Sequence, residues 1–203
     1  MSEQRDLERL LKVHYADMPG LDTETQILFK QLEWGINLGN NTMYLTYEID
    51  TDQLYSVMTR FDNFIQYTKG KKDVTLVISS YGGDVYAMLG TIDYFNSLPV
   101  KVNTHCIGAC MSAAAVILAC GTGKRTMSEN STVMVHEGSA FEAGKTSDVL
   151  KGADHLKKLQ TNINRILGKV TKKTQEFWEE VSKQDTYLTS EQCLEYGIVD
   201  EIV

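Results

Sequence analysis

Asp73 to Ser79 reads DVTLVIS, Tyr81-Gly82-Gly83 interrupts the run, and Val85, Met88, Leu89, Ile92 and Phe95 then recur at three- and four-residue steps as far as Pro99. Seven residues rich in β-branched side chains, bounded by Lys69-Gly70-Lys71-Lys72 before and by Tyr81-Gly82-Gly83 after, predict a buried parallel strand. The apolar spacing beyond the glycines predicts a helix that the proline ends. This strand–turn–helix unit decides the fold class.

The same alternation extends in both directions. Upstream, Met43-Tyr44-Leu45-Thr46 predicts a short strand, and acidic Glu48, Asp50 and Asp52 lead into a helix through Tyr55, Met58 and Phe61. Downstream, Val100 to Ile107 predicts a strand that Gly108 turns. Met111 to Cys120, small and apolar on every side, predicts a buried helix with Gly121 as its cap. Thr132 to His136 predicts the next strand, and the run Leu150, Ala153, Leu156, Leu159, Ile163, Ile166, Leu167, Val170 a long amphipathic helix after a glycine-containing loop. Strands alternating with helices imply an α/β fold with right-handed crossovers and a mainly parallel sheet. Residues 1–41 form a divergent N-terminal segment, in which Leu7, Leu10 and Leu11 suggest an amphipathic turn. Residues 42–203 form the folded domain.

Composition narrows the function. The chain has 203 residues, 42% of them apolar, with 2 prolines and 15 glycines, which fits one compact domain rather than a low-complexity chain. Twenty Lys+Arg against 27 Asp+Glu give a formal charge of −7, the wrong sign for a protein that gains affinity by neutralising phosphates, so no nucleic-acid partner is expected. The longest apolar stretch, Met111 to Ala119, is far short of the roughly 20 residues that span a bilayer, and the acidic N-terminus lacks the regions of a signal peptide. The expectation is a cytoplasmic protein with no membrane partner. Cys106, Cys110, Cys120 and Cys193 lie in apolar segments without a second close pair to complete a zinc site, so buried reduced thiols and no metal are expected. Gly121-Thr122-Gly123-Lys124-Arg125 has a superficial likeness to a phosphate loop, but its leading glycine is misplaced and Arg125 stands where a magnesium-binding Ser or Thr belongs. The Lys157-Lys158 and Lys172-Lys173 pairs have acidic neighbours and suit a solvated face.

Nucleophilic chemistry is the remaining signal. An activated serine needs a base, a group that orients the base, and donors aimed at the oxyanion. Ser112 lies where the chain enters the buried helix, and taken alone it reads first as a helix-capping serine. His136 ends the strand Val133-Met134-Val135 at its carboxyl edge, where open α/β sheets bind ligands, although a core histidine fits the same pattern. Tyr81-Gly82-Gly83 could present backbone amides to a carbonyl, or be an ordinary tight turn. Asp185 by itself reads as a solvated loop carboxylate.

Together these segments resemble the proteolytic subunit of the caseinolytic protease, ClpP, over Met43 to Val203. Leu45-Thr46-Tyr47-Glu48-Ile49-Asp50 resembles the family's early strand and turn, Ser80-Tyr81-Gly82-Gly83 its Ser-Pro-Gly-Gly, Gly108 to Ala113 the segment around its nucleophile, and Met134-Val135-His136 its Met-Ile-His. Gln184 to Ser190 and Glu195 to Asp200 resemble its Arg-Asp-Arg-Phe-Leu-Ser and Glu-Tyr-Gly-Leu-Val-Asp. The resemblance implies the ClpP/crotonase-like fold with a protruding helix or handle region, and a serine endopeptidase needing no cofactor. It implies Ser112 as nucleophile, His136 as general base and acid, Asp185 as the carboxylate orienting His136, and the amides of Gly83 and Ala113 as oxyanion donors. It further implies a homo-oligomeric heptameric ring, stacked in pairs in many members, that degrades peptides or unfolded proteins delivered by an AAA+ unfoldase.

The departures are specific. Tyr81 replaces a proline, Gly138 stands near another, and Thr186 takes the place of an arginine that helps pair two rings. Glu137 to Asp148 corresponds to the handle, and its glycines suggest mobility. Three other readings use the same residues: a ClpP-like viral capsid-maturation protease, a non-catalytic ClpP-like ring subunit, and an acyl-CoA enzyme of the crotonase fold, in which the Ser/His/Asp order would be coincidental.

Overall fold

The computed structural model describes residues 25, 28, 31, 35–139 and 143–203. The expected turn at Leu7, Leu10 and Leu11 lies outside them, as do residues 140–142 of the handle segment. Strands β1 (Ile36–Asn37), β2 (Thr42–Leu45), β3 (Val74–Ser80), β4 (Val102–Met111), β5 (Arg125–Met127), β6 (Thr132–Val135), β7 (Thr186–Leu188) and β8 (Glu201–Ile202) form one sheet. Helices α1 (Thr51–Thr68), α2 (Val85–Ser97), α3 (Ala113–Ala119), α4 (Thr146–Val170), α5 (Gln175–Val181) and α6 (Ser190–Tyr196) connect them. β2, β3, β4, β5 and β8 run parallel in that order, β6 runs parallel to β4, and only β1 on β2 and β7 on β6 are antiparallel. The expected mainly parallel α/β sheet is what the chain builds.

Local chemistry sets the helix ends. The Asp50 carboxylate accepts from the Gln53 amide at 2.7 Å to start α1, and the Asp84 carboxylate accepts from Ala87 at 2.8 Å to start α2. Within α1 the buried residues are Val57, Phe61 and Phe64. Tyr55 and Met58 belong to the helix but are exposed; Tyr55 lies about 120° around the axis from Phe61 at 3.6 residues per turn.

Strand β4 departs from the expected turn at Gly108. The chain does not turn there; it bulges and continues to Met111. Ile78 of β3 faces Cys106 but Ser80 faces Cys110, so two residues of β3 are matched by four of β4, with Gly108 at φ +71°. The bulge lets β4 serve two neighbours on its far side: Thr104 to Cys106 pairs with β5, and Ala109 to Met111 with β6. The three-residue β5 had no signal of its own in the sequence. The buried helix likewise begins at Ala113 rather than Met111, and all seven of its residues are buried. α3 packs against β3, β4 and β6, placing the ends of all three strands around its first turn.

The glycine-rich stretch after α3 is a structural turn. Thr122 Oγ1 accepts from the Val102 amide at 2.9 Å, and Asn103 Oδ1 from the Lys124 amide at 2.8 Å. The Arg125 guanidinium, 14% exposed, pairs with Asp200 and also donates to the carbonyls of Ala119 (3.1 Å) and Val170 (2.7 Å), tying α3, α4 and the C-terminus together. All four cysteines are free and buried, and burial pushes Cys120 and Cys193 up to about 12. Among the described residues no helix is long and apolar enough to cross a membrane. Helix α4 packs through Ile163, Asn164 and Leu167, while its first half stands in solvent, exposing Leu150.

Candidate active site

Ser112, His136 and the Gly82-Gly83 turn each follow the carboxyl end of a parallel strand, and the sheet's register brings them together. Met111 is opposite Met134, so the chain leaves β4 and β6 at the same level, and the Ser112 amide donates to the Met134 carbonyl at 2.8 Å. His136 is the first residue after β6. Its Nε2 lies 2.8 Å from Ser112 Oγ, a hydrogen-bond distance. Antiparallel β7 supplies the third group: Val135 faces Thr186, so the next pair outward is His136 and Asp185, and His136 Nδ1 lies 3.4 Å from Asp185 Oδ1. That separation is longer than an ordinary N–H···O bond, and the Asp185 side chain is 63% exposed.

Ser112 sits at the N-cap position of α3, yet its hydroxyl makes no capping bond. It is held instead at φ +53°, ψ −124°, a backbone state that costs a residue with a side chain on the order of 1–3 kcal/mol. The strained elbow turns Oγ out of the helix and onto His136, so the capping alternative does not describe this serine.

The glycine turn abuts the elbow. A Cβ on Gly82 (φ +103°) would lie 2.7 Å from Ser112 Cβ and 3.1 Å from the Ala113 nitrogen, so only glycine brings this backbone so close. The other side of the turn is fixed to the chain after β2: the Ile49 amide donates to the Gly82 carbonyl at 2.8 Å, and the Asp84 amide to the Ile49 carbonyl at 2.6 Å. In this parallel bridge Gly83 is the residue opposite Ile49, so its own N–H and C=O face away from Ile49. Ala113 is the first residue of α3, and its amide has no acceptor within the helix.

Space exists on both sides. Beside Ser112 a cavity of about 30 Å³ is walled by Val85, Met88, Val116, Val135, Ile163 and Leu167, with Gln160 and Asn164 adding polar groups. A larger open groove of about 730 Å³ runs past Tyr47, Glu48, Tyr81, Gly83 and Gly108. Sequence reasoning did not single out Gln160 or Asn164; two carboxamides four residues apart on the buried side of an otherwise apolar stripe were the available signal. Among the described residues no group of His, Cys, Asp and Glu could hold a metal ion.

The neighbourhood thus contains a hydroxyl on an imidazole, a nearby carboxylate, a glycine turn against the elbow and an apolar cavity, an arrangement suited to acyl transfer from a carbonyl. Comparison with known proteins agrees with that chemistry, because residues 34–203, most of the chain, match the family model described as Clp protease. This chain belongs to the Clp protease family, a family of serine peptidases.

Proposed function

We propose that the chain is the peptidase subunit of a compartmentalised serine protease, with Ser112 as nucleophile, His136 as general base and then acid, and Asp185 orienting the imidazole. The observation that carries this reading is the 2.8 Å contact between His136 Nε2 and Ser112 Oγ at a strained elbow. Imidazole removes the hydroxyl proton as Oγ attacks the scissile carbonyl, and then returns that proton to the leaving amine. Water repeats the cycle on the acyl-enzyme. The Gly83 and Ala113 amides receive the oxyanion, each such donor contributing roughly 3–4 kcal/mol to the transition state.

An extended peptide pairs with the free edge of the turn at Gly83, giving sequence-tolerant binding through main-chain bonds. An apolar side chain next to the scissile bond enters the cavity between Met88, Val116 and Ile163. Family membership supports a ring of identical subunits, heptameric in our reading, with an AAA+ unfoldase supplying unfolded chains. The test is hydrolysis of fluorogenic short peptides by wild type and Ser112→Ala, with native mass recorded on both. Turnover by the wild-type assembly and none by the variant supports the reading; a folded ring inactive in both forms supports a non-catalytic subunit instead.

A further inference from the structure

We propose that Gln160, on the long helix α4, is a positioning residue that holds the His136 imidazole in register with Ser112. This rests on the reading of Ser112 and His136 as the peptidase site.

His136 lies just beyond the last ladder pair of β6, so the strand no longer fixes the backbone that carries its ring. Two bonds from outside the sheet take over. The Glu137 amide donates to the Ser182 carbonyl at the end of α5 (2.6 Å), and the Gly138 amide donates to Gln160 Oε1 (2.9 Å). Gln160 Nε2 in turn donates to Asn164 Oδ1 at 3.0 Å. An amide N–H can only donate, so Gly138 dictates which end of the Gln160 carboxamide faces it, and Gln160 dictates the orientation of Asn164. Asn164 is 3% exposed and sits on the face of α4 that packs through Ile163 and Leu167. The relay therefore anchors the segment after His136 to the core.

This anchor matters because the other restraint on the ring is weak. The carboxylate of Asp185 is 3.4 Å from Nδ1 and largely in solvent, so it holds the imidazole less firmly than a buried, close hydrogen-bond partner would. With the side-chain tether long, the angle of the ring onto Ser112 Oγ depends on where the backbone of His136 to Gly138 is pinned. Gln160 lines the same cavity as Ser112 and His136 but has its carboxamide committed at both ends, so its role is exerted through His136 rather than on the substrate.

The experiment uses the full chain in its native assembly, a neutral fluorogenic peptide, and fluorophosphonate labelling of the serine. Gln160→Met keeps the length and volume of the side chain and removes both hydrogen bonds. It is expected to lower kcat and the labelling rate together by about 10-fold or more, because misplacement of a reacting group by an ångström costs up to about 100-fold, with KM within about twofold and native mass unchanged. Gln160→Glu still accepts from Gly138 and lets the Asn164 carboxamide turn to donate. It is expected to recover kcat to within about threefold of wild type while its added negative charge moves the acidic limb of the kcat/KM profile to higher pH. A Gln160→Met enzyme with kcat within twofold of wild type overturns the inference and leaves the peptidase reading intact. Equal losses in both variants, in step with a lowered melting temperature, also overturn it, because they mark a purely structural contact. A wild-type assembly that neither turns over peptide nor takes the label overturns both readings together.

Discussion

Replacing Gly83 with alanine perturbs the turn at its most constrained point. The new Cβ would fall 2.1 Å from the Ile49 carbonyl oxygen, 2.8 Å from its nitrogen and 2.9 Å from its carbonyl carbon, all rigid backbone atoms. Real Cβ contacts stay beyond 3.0 Å, so the turn must retreat from Ile49 by about 0.9 Å, a displacement of the size that disables reacting geometries. The retreat lengthens the bonds from Ile49 to Gly82 and from Asp84 to Ile49, now 2.8 and 2.6 Å. It also forces a residue with a side chain to hold φ +149°. Strain and lost bonds together are expected to cost about 2–4 kcal/mol of stability. In the account given above the Gly83 amide is an oxyanion donor, so its displacement should also lower kcat by about 10²–10³. Peptide hydrolysis at saturating substrate, read beside thermal melting and fluorophosphonate labelling, separates the two effects. A Gly83→Ala protein that melts several degrees lower but keeps kcat within threefold of wild type would refute the assignment of this amide.

Asp185→Asn should lower kcat/KM by about 10- to 10³-fold, less than the roughly 10⁴-fold known for a buried triad carboxylate, since this one is exposed and 3.4 Å from the ring; steady-state kinetics on one neutral peptide checks it. Arg125→Leu should cost about 2–3 kcal/mol in urea unfolding, because it removes a largely buried clamp on Asp200 and on the carbonyls of Ala119 and Val170. The same pair gives a pH signature: the Arg125 guanidinium holds the Asp200 carboxyl below its ordinary value of 3.8, so its contribution to stability is complete above that pH and is lost on acidification below it. Arg125→Leu should therefore lose that part of the acid dependence.

How much the sequence reveals differs between fold and site. The unit from Asp73 to Pro99 is legible because β-branched residues, a glycine pair and helical spacing agree, and β3 and α2 form within a residue or two of expectation. Gly108 misleads because a glycine in an apolar strand signals a turn and a bulge alike, and only pairing with β3 on one side and with β5 and β6 on the other decides between them. β5 and β7, three residues each, are too short to carry a period. At the site, Ser112, His136 and Asp185 are each ambiguous alone. Resemblance to a family gave them roles, and the register of β4, β6 and β7 supplies the physical reason they meet. Of the tether through Gln160 only one half was legible: Gln160 and Asn164, four residues apart on the helix, mark a carboxamide pair, but nothing in the sequence points to Gly138, distant along the chain, as its partner.

The most direct test is to treat the native assembly with a fluorophosphonate and locate the adduct by peptide mass spectrometry, alongside His136→Ala. One modified residue, Ser112, is expected in the wild type, with labelling slowed by about 10³-fold or more in His136→Ala, since the unassisted hydroxyl is a weak nucleophile. An adduct on another serine with Ser112 unmodified, or equal labelling with and without His136, would contradict this expectation.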